Sequence, residues 1–296
     1  MVRLIIAVAA IMLTAGPALA DIRVDTAGKL GRAIKSAKQG DVIILEPGSY
    51  AVADLKIPKT VTLIGEGRVV LTPKSAVAKG LLNPLPGASL RVKNIVFRGA
   101  TSPDKNGAGI RHDGANLFIA DCRFEDNENG VLATGDPAGL IQISRSDFLR
   151  SGYGDGQSHG IYVVRAAQLE IRDSNFIGTR IGHHVKSLAD VTFIEGTTLD
   201  DADGQTSYSV DASKGGDVTI ANSTLIQSAD SENWAFVNYD TSRGGQALSL
   251  RITGNRIVNK RESAVFLRND TELKPDVFDN EVVNEGRARM TYKESR

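Results

Sequence analysis

Leu117-Phe118-Ile119-Ala120-Asp121-Cys122-Arg123-Phe124 sets large aliphatic residues two apart at Leu117 and Ile119, turns at a small residue and ends on an aromatic ring. The pattern apolar-x-apolar-x-x-small-x-apolar fits upstream at Leu90, Val92, Ile95 and Phe97. Downstream it returns at Ile141, Ile143, Ser146 and Phe148, and again at Leu169, Ile171, Ser174 and Phe176. Looser copies follow at Ile194, Thr197 and Leu199; Val218, Ile220, Ser223 and Leu225; Leu250, Ile252, Asn255 and Ile257; and Val277, Asn280 and Val282. Their closing residues lie 27, 24, 28, 23, 26, 32 and 25 positions apart. Self-similarity at such a period marks a repeat architecture. Each copy opens with the period-two alternation of a strand, and no long segment inside the repeats carries the 3.6 period of a helix.

A Gly/Asp/Asn-rich loop follows each copy, then a second short strand such as Gly130-Val131-Leu132-Ala133 or Gly160-Ile161-Tyr162-Val163. A unit of this size cannot bury its apolar face alone, but stacking on its neighbours makes one continuous core. At the recurring Cys/Ser/Thr/Asn position, a side chain can hydrogen-bond its counterpart about 4.8 Å away on the next rung. A β-sandwich would not repeat one strand–turn–strand unit at this spacing. The expectation is an all-β protein, a right-handed parallel β-helix of about eight stacked rungs.

A stack of this kind needs its open end covered. Residues 26–38 read as an amphipathic helix, with Thr26 as N-cap, Leu30, Ala33, Ile34 and Ala37 on one face, and Gly40 as the stop. Residues 41–45 and 61–65 read as the first strands. Ahead of this cap, Arg3, the apolar run 4–13 and Ala18-Leu19-Ala20 have the form of a cleavable signal peptide. The organisation expected is a leader over 1–20, an N-terminal cap over 21–48 and the β-helix over 49–296, working in the periplasm or outside the cell. No later stretch is apolar enough to span a membrane. Without Arg3, 34 basic residues face 35 acidic ones, a net −1. That balance argues against nucleic acid or an anionic membrane as partner. Cys122 is the sole cysteine, so no intrachain disulfide can form.

Ala33-Ile34-Lys35-Ser36-Ala37, Gly40-Asp41-Val42-Ile43, Pro47-Gly48-Ser49-Tyr50 and Val61-Thr62-Leu63-Ile64-Gly65 resemble the opening of pectate-lyase-like right-handed β-helix proteins. The resemblance runs to about residue 286. Gly182-His183-His184-Val185-Lys186-Ser187, followed by Ser207-Tyr208 and Gly215-Gly216, resembles a bacterial group of secreted β-helix proteins. The resemblance implies a polysaccharide as partner. It does not choose among lyases, hydrolases, uronate epimerases and binding modules, because one fold hosts all of them.

Strand alternation with Ile161, Val163, Val185, Tyr208 and Val210 inward turns Tyr162, Val164, His184, Lys186, Ser209 and Asp211 outward. Asn238 and Arg268 extend that face in later rungs. A one-residue slip would turn His183 outward instead. β-Elimination on a uronate needs a carboxylate neutraliser, a base for the α-proton and an acid for the leaving oxygen. Lys186 or Arg165 can neutralise, His184 or Lys186 can act as base, and Tyr162 as acid. C5 epimerisation begins with the same proton. The structural alternative is a solvent-facing ladder with Lys186 paired to Asp211, where such pairs contribute about 0–1 kcal/mol.

Other candidates are weaker. The Gly-rich loop 152–160 carries Asp155 and His159. His159 is a candidate for substrate binding, whereas a calcium site at Asp155 lacks accompanying carboxylates. A hydrolase would draw on Asp200, Asp201 and Asp203, whose Asp/Gly context reads as a solvated turn. Adjacent strand residues His183 and His184 point to opposite faces and cannot readily chelate one zinc ion. Trp234, with Asn233 and Tyr239, reads either as a sugar platform or as core. The sequence thus leads to a protein acting on an acidic, uronate-containing polysaccharide by α-proton abstraction, as a lyase or C5-epimerase, with no cofactor demanded. A non-catalytic carbohydrate-binding or cell-envelope β-helix is the alternative.

Overall fold

A computed structural model of the chain describes residues 21–202 and 204–291. The leader read over 1–20 and Asp203 lie outside these residues. Each turn of the chain contributes one strand to each of three parallel sheets, as Leu117–Ala120, Arg123–Glu125 and Asn129–Ala133 do in succession. The described residues place eleven strands in the first sheet and ten in each of the others, every strand pairing with its equivalents one turn away. This is a parallel β-helix. It is longer than the eight readable repeats because Gly48–Val52 and Val69–Pro73 add rungs without carrying the repeat phrase.

The register is the one the repeats imply. Leu117 and Ile119 pair with Leu90 and Val92 on one side and with Ile141 and Ile143 on the other. Phe97, Phe124, Phe148 and Phe176 form one internal stack, with ring centroids 4.6, 4.7 and 4.5 Å apart. Between the first two sheets the chain bends through left-handed backbone at Asn94, Asp121, Arg145, Asp173, Gly196, Asn222, Gly254 and Asp279. Asn, Asp and Gly suit that conformation best, and Arg145 is the exception. The next residue then bonds across rungs: Ser146 Oγ accepts from the Cys122 amide at 3.1 Å, Ser174 Oγ from that of Ser146 at 3.1 Å, and Asn255 Oδ1 from that of Ser223 at 2.9 Å.

The capping helix spans Ala27–Ser36, and Thr26 Oγ1 accepts from the Lys29 amide at 3.3 Å. Leu30, Ala33, Ile34 and Ala37 are buried in the common core, so the helix closes the first rungs. Asp21–Val24 pairs with Val42–Leu45 and extends the first sheet.

The corner leading into the third sheet positions the candidate site. A Cβ at Gly109, Gly130 or Gly160 would lie 2.8, 2.5 or 3.0 Å from a ring carbon of Phe124, Phe148 or Phe176. These glycines therefore make room for the stacked rings. One turn later Leu199 pairs with Phe176 and takes its place in the column, and His184 occupies the glycine position. The smaller apolar residue is accompanied by the larger corner residue.

Candidate active site

Tyr162, Lys186, Asp211, Asn238 and Arg268 are register partners on five successive third-sheet strands, forming one outer row. Lys186 Nζ lies 3.3 Å from Asp211 Oδ2 and 5.3 Å from the centre of the Tyr162 ring. Asp211 is almost wholly buried. Besides Lys186 it has His183 Nε2 3.4 Å away, and it accepts from Ser213 Oγ at 3.3 Å and from Asn238 Nδ2 at 2.8 Å. Asn238 Nδ2 also reaches Asp240 Oδ2 at 2.7 Å.

His184 is not on this face. It is fully buried, with Thr179 Oγ1 2.8 Å from Nδ1 and Asp201 Oδ1 3.1 Å from Nε2. Regular alternation begins only at Val185, and the corner residue before it turns inward as the preceding glycines do. The expectation that His184 is an outward base is therefore corrected. Ser209, at the equivalent position one turn on, is buried as well.

The outward position at this corner is one residue earlier, at His159, His183 and Tyr208. Their rings form a column: His159 and His183 stack at 4.9 Å and 6°, and His183 and Tyr208 at 5.2 Å and 20°. His159 also meets the edge of Tyr162 at 5.2 Å. His159 Nδ1 accepts from the His183 amide at 3.0 Å, and His183 Nδ1 from the Tyr208 amide at 3.1 Å. An accepting Nδ1 leaves the proton of a neutral imidazole on Nε2, the nitrogen that lies 3.4 Å from Asp211 Oδ2. Burial pushes His183 down to about 4 and His159 well below the usual histidine value. Both rings are neutral at neutral pH.

Tyr208, which alternation alone would turn into the core, thus belongs to the site. Its hydroxyl accepts from Arg268 Nη1 at 3.0 Å, a bond that skips the intervening Asn238 rung. Arg268 is held above its ordinary value by its bonds to Tyr208 and Asp270. Burial raises the Tyr162 phenol, and the nearby Arg243 guanidinium opposes that rise. Arg243 stands exposed on the loop after Ala235–Tyr239, and its guanidinium forms no ion pair among the described residues. Tyr208 had a sequence signal, since it precedes Val210 by the same two residues that separate His183 from Val185 and His159 from Ile161. Arg243 had none, because its loop follows no repeat.

Neither the protein-family models nor the curated proteins match this chain. Solved structures do match. An alginate lyase from Paenibacillus sp. str. FPU-7 superimposes with a TM-score of 0.70 at 18% identity, over 90% of this chain and 98% of that one. The PL6 family alginate lyase AlyGC gives 0.53 at 18% identity, and the alignment spans 95% of this chain but 40% of that one. Pectate lyase Pel9A gives 0.51 at 12% identity, over 90% and 80% of the two chains. The chain shares the parallel β-helix fold of these proteins. At these identities the likeness carries the fold, and the chemistry rests on the side chains.

The remaining candidates fall elsewhere on this parallel β-helix. Arg165 lies beyond the outer row, where third-sheet strands leave for the first sheet, with Nε 3.0 Å from Thr134 O. It lines an open groove of about 500 Å3 with Lys79 and Arg111. Asp201 is not a solvated turn residue: it is buried and accepts from the Ser228 amide and from Ser231 Oγ in addition to His184. Asp200 does shape a turn, accepting from the Ala202 amide at 2.7 Å. Asp155 accepts from the Gln157 amide and lies 3.9 Å from Lys105. Among the described residues no group of three His, Cys, Asp or Glu side chains is arranged to hold a metal ion. Trp234 is 46% exposed and so is not core, whereas Tyr239 is buried and bonds Gly216 O at 2.8 Å.

Proposed function

We propose that this protein acts outside the cytoplasm on an acidic, uronate-containing polysaccharide, cleaving it by β-elimination on the Lys186–Tyr208 face. The extracytoplasmic placement rests on the leader read over residues 1–20. The observation that carries the chemistry is a phenol whose oxygen already accepts a guanidinium hydrogen bond, on the same face as a lysine amine.

In this reading the Lys186 amine takes the proton α to the uronate carboxylate. The electron pair of that C–H bond forms the C4–C5 double bond as the C4–O bond breaks. Tyr208 hands its hydroxyl proton to the departing oxygen, and Arg268 is already placed to stabilise the phenolate that forms. Tyr208, rather than Tyr162, then fills the acid role, while Tyr162 packs its ring against the amine. Arg243 is the cation left to neutralise the carboxylate. Asp211 keeps two neutral donors, Ser213 and Asn238, when Lys186 turns to substrate. Burying a carboxylate without such donors would be strongly unfavourable.

The decisive measurement is a screen of purified protein on uronate polymers, reading the absorbance of the new double bond. Inversion at C5 starts from the same abstraction but creates no double bond, so sugar NMR of the same reactions separates an epimerase from a lyase. Binding without either product, across the common uronate polymers, would replace this reading with a carbohydrate-binding protein.

A further inference from the structure

The groove at Arg165 is separate from the Lys186 cluster but shares its face. Arg111 is the register partner of Leu132, which pairs with Tyr162, which pairs with Lys186. Three rung steps at roughly 4.8 Å put Arg111 about 14 Å from Lys186 along the stack. The groove is about 500 Å3 and its charged lining is Lys79, Arg111 and Arg165 against Asp113 and Asp136.

Its charges are unevenly committed. Asp113 accepts from Lys79 Nζ at 2.8 Å, from Arg111 Nε at 3.3 Å and from the Thr134 hydroxyl, so one carboxylate braces two cations side by side. Asp136 accepts from the Ala138 amide at 2.8 Å and pairs with no cation among the described residues. Arg165 uses Nε on a backbone carbonyl, and its terminal nitrogens bond nothing among the described residues. A planar guanidinium with its terminal nitrogens free is suited to bidentate capture of a carboxylate. Pro86, Gly87, Gly114, Gly135 and Pro137 complete the lining, so little side chain obstructs an entering ring.

We propose that this groove is a second, non-catalytic subsite that binds uronate carboxylates of the same polymer, laid along the stack so that its reacting ring lies at Lys186. The inference rests on the proposed function, since it takes a polyuronate as the ligand. A polymer carrying one carboxylate per ring offers anions at regular intervals along the rungs that bear Arg111, Arg165 and Lys186. The subsite tightens binding of long chains and leaves the chemistry on a short one unchanged.

The test is calorimetric binding of size-graded oligouronates to K186A, which holds substrate without consuming it, and to K186A carrying K79A and R165A. Affinity should rise by about tenfold or more once the oligomer is long enough to reach the groove. The triple variant should lose that rise while keeping the affinity for short oligomers, and R165Q should lose part of it. An equal rise in the triple variant would overturn the subsite, as would the absence of binding at any length. If the wild type makes no product but the length-dependent rise persists and needs Arg165, the subsite stands and the catalytic reading falls. Melting curves confirm that each variant is folded, and inorganic phosphate serves as the control anion: equal competition at all oligomer lengths would indicate a non-specific anion site and overturn the proposal.

Discussion

His183 and His184 are neighbours in the chain but lie on opposite sides of one corner, and each meets an aspartate. Inside, His184 bridges Thr179 and Asp201, and Asp201 also holds the Ser228 amide and the Ser231 hydroxyl. Every group there is committed, and the assembly ties consecutive turns together. Outside, His183 lies 3.4 Å from Asp211, which gathers the Ser213 and Asn238 donors, but Lys186, Tyr162, Tyr208 and Arg243 on that face retain unspent capacity. The same types of side chain make a brace where the corner closes over them and a candidate reaction site where it opens. A histidine, a hydroxyl and a carboxylate within bonding distance therefore do not by themselves identify a site; access does.

Perturbing the inside should change stability and leave turnover, and perturbing the outside should change turnover far more than stability. The largest effect belongs to the ring stack: Phe148→Ala should destabilise by about 3–5 kcal/mol in denaturant titration. A loss under about 1 kcal/mol would mean the ring is not held as a core residue. Next comes Lys186→Ala, which should reduce turnover on the active substrate by about a hundredfold or more. Its melting curve should fall by less than that of the Phe148 variant, because the buried Asp211 keeps its Ser213 and Asn238 donors. His184→Ala should show the reverse, with about 1–3 kcal/mol of stability lost through the stranded Asp201 and near-normal turnover by the folded fraction. Should His184→Ala instead abolish turnover in a protein that melts normally, the inside–outside distinction would collapse.

The smallest effect is a pH dependence. His183 is held at about 4 against an ordinary histidine value of 6.5, and His112 likewise, in both cases through burial. Below 6.5 the unfolded chain takes up protons that the folded chain refuses. Stability is therefore complete above that value and declines as pH falls toward 4, by on the order of 1 kcal/mol per histidine at pH 5.5. Denaturation midpoints measured between pH 7 and 4.5 should fall, and His183→Gln should flatten part of the slope. A midpoint constant down to pH 5 would contradict the neutral, buried state of these rings.

Repeats made the fold legible, because Phe124, Phe148 and Phe176 could be aligned before any pairing was known. The outer row was legible too, since Tyr162, Lys186, Asp211, Asn238 and Arg268 follow from alternation within strands. The corner was not. His184 and Val185 both point inward, and a period-two rule has no provision for two inward residues in succession. Gly109, Gly130 and Gly160 hold the clue, being the residues that a bulky ring opposite would require. Asp201 was misread for a different reason: its partners Ser228 and Ser231 arrive from the following turn, so its local Asp/Gly context says nothing of its burial. Arg165 lies past the end of its strand, where the turn carries it away from the row.

The bond between Arg268 and Tyr208 has a mechanical consequence. In a stack where strands pair only with their neighbours, loss of structure can travel inward from either end like the peeling of a tape. Peeling from the C-terminal end would release Met290–Thr291, then the Arg268 strand and that of Asn238, before reaching Tyr208 and Lys186. The Arg268–Tyr208 bond spans the intervening strand, so detaching the Arg268 strand breaks a contact two layers deep. Fraying at that end would thus silence the face before its own layers had come apart, and a force applied to the C-terminus would be felt at the phenol first.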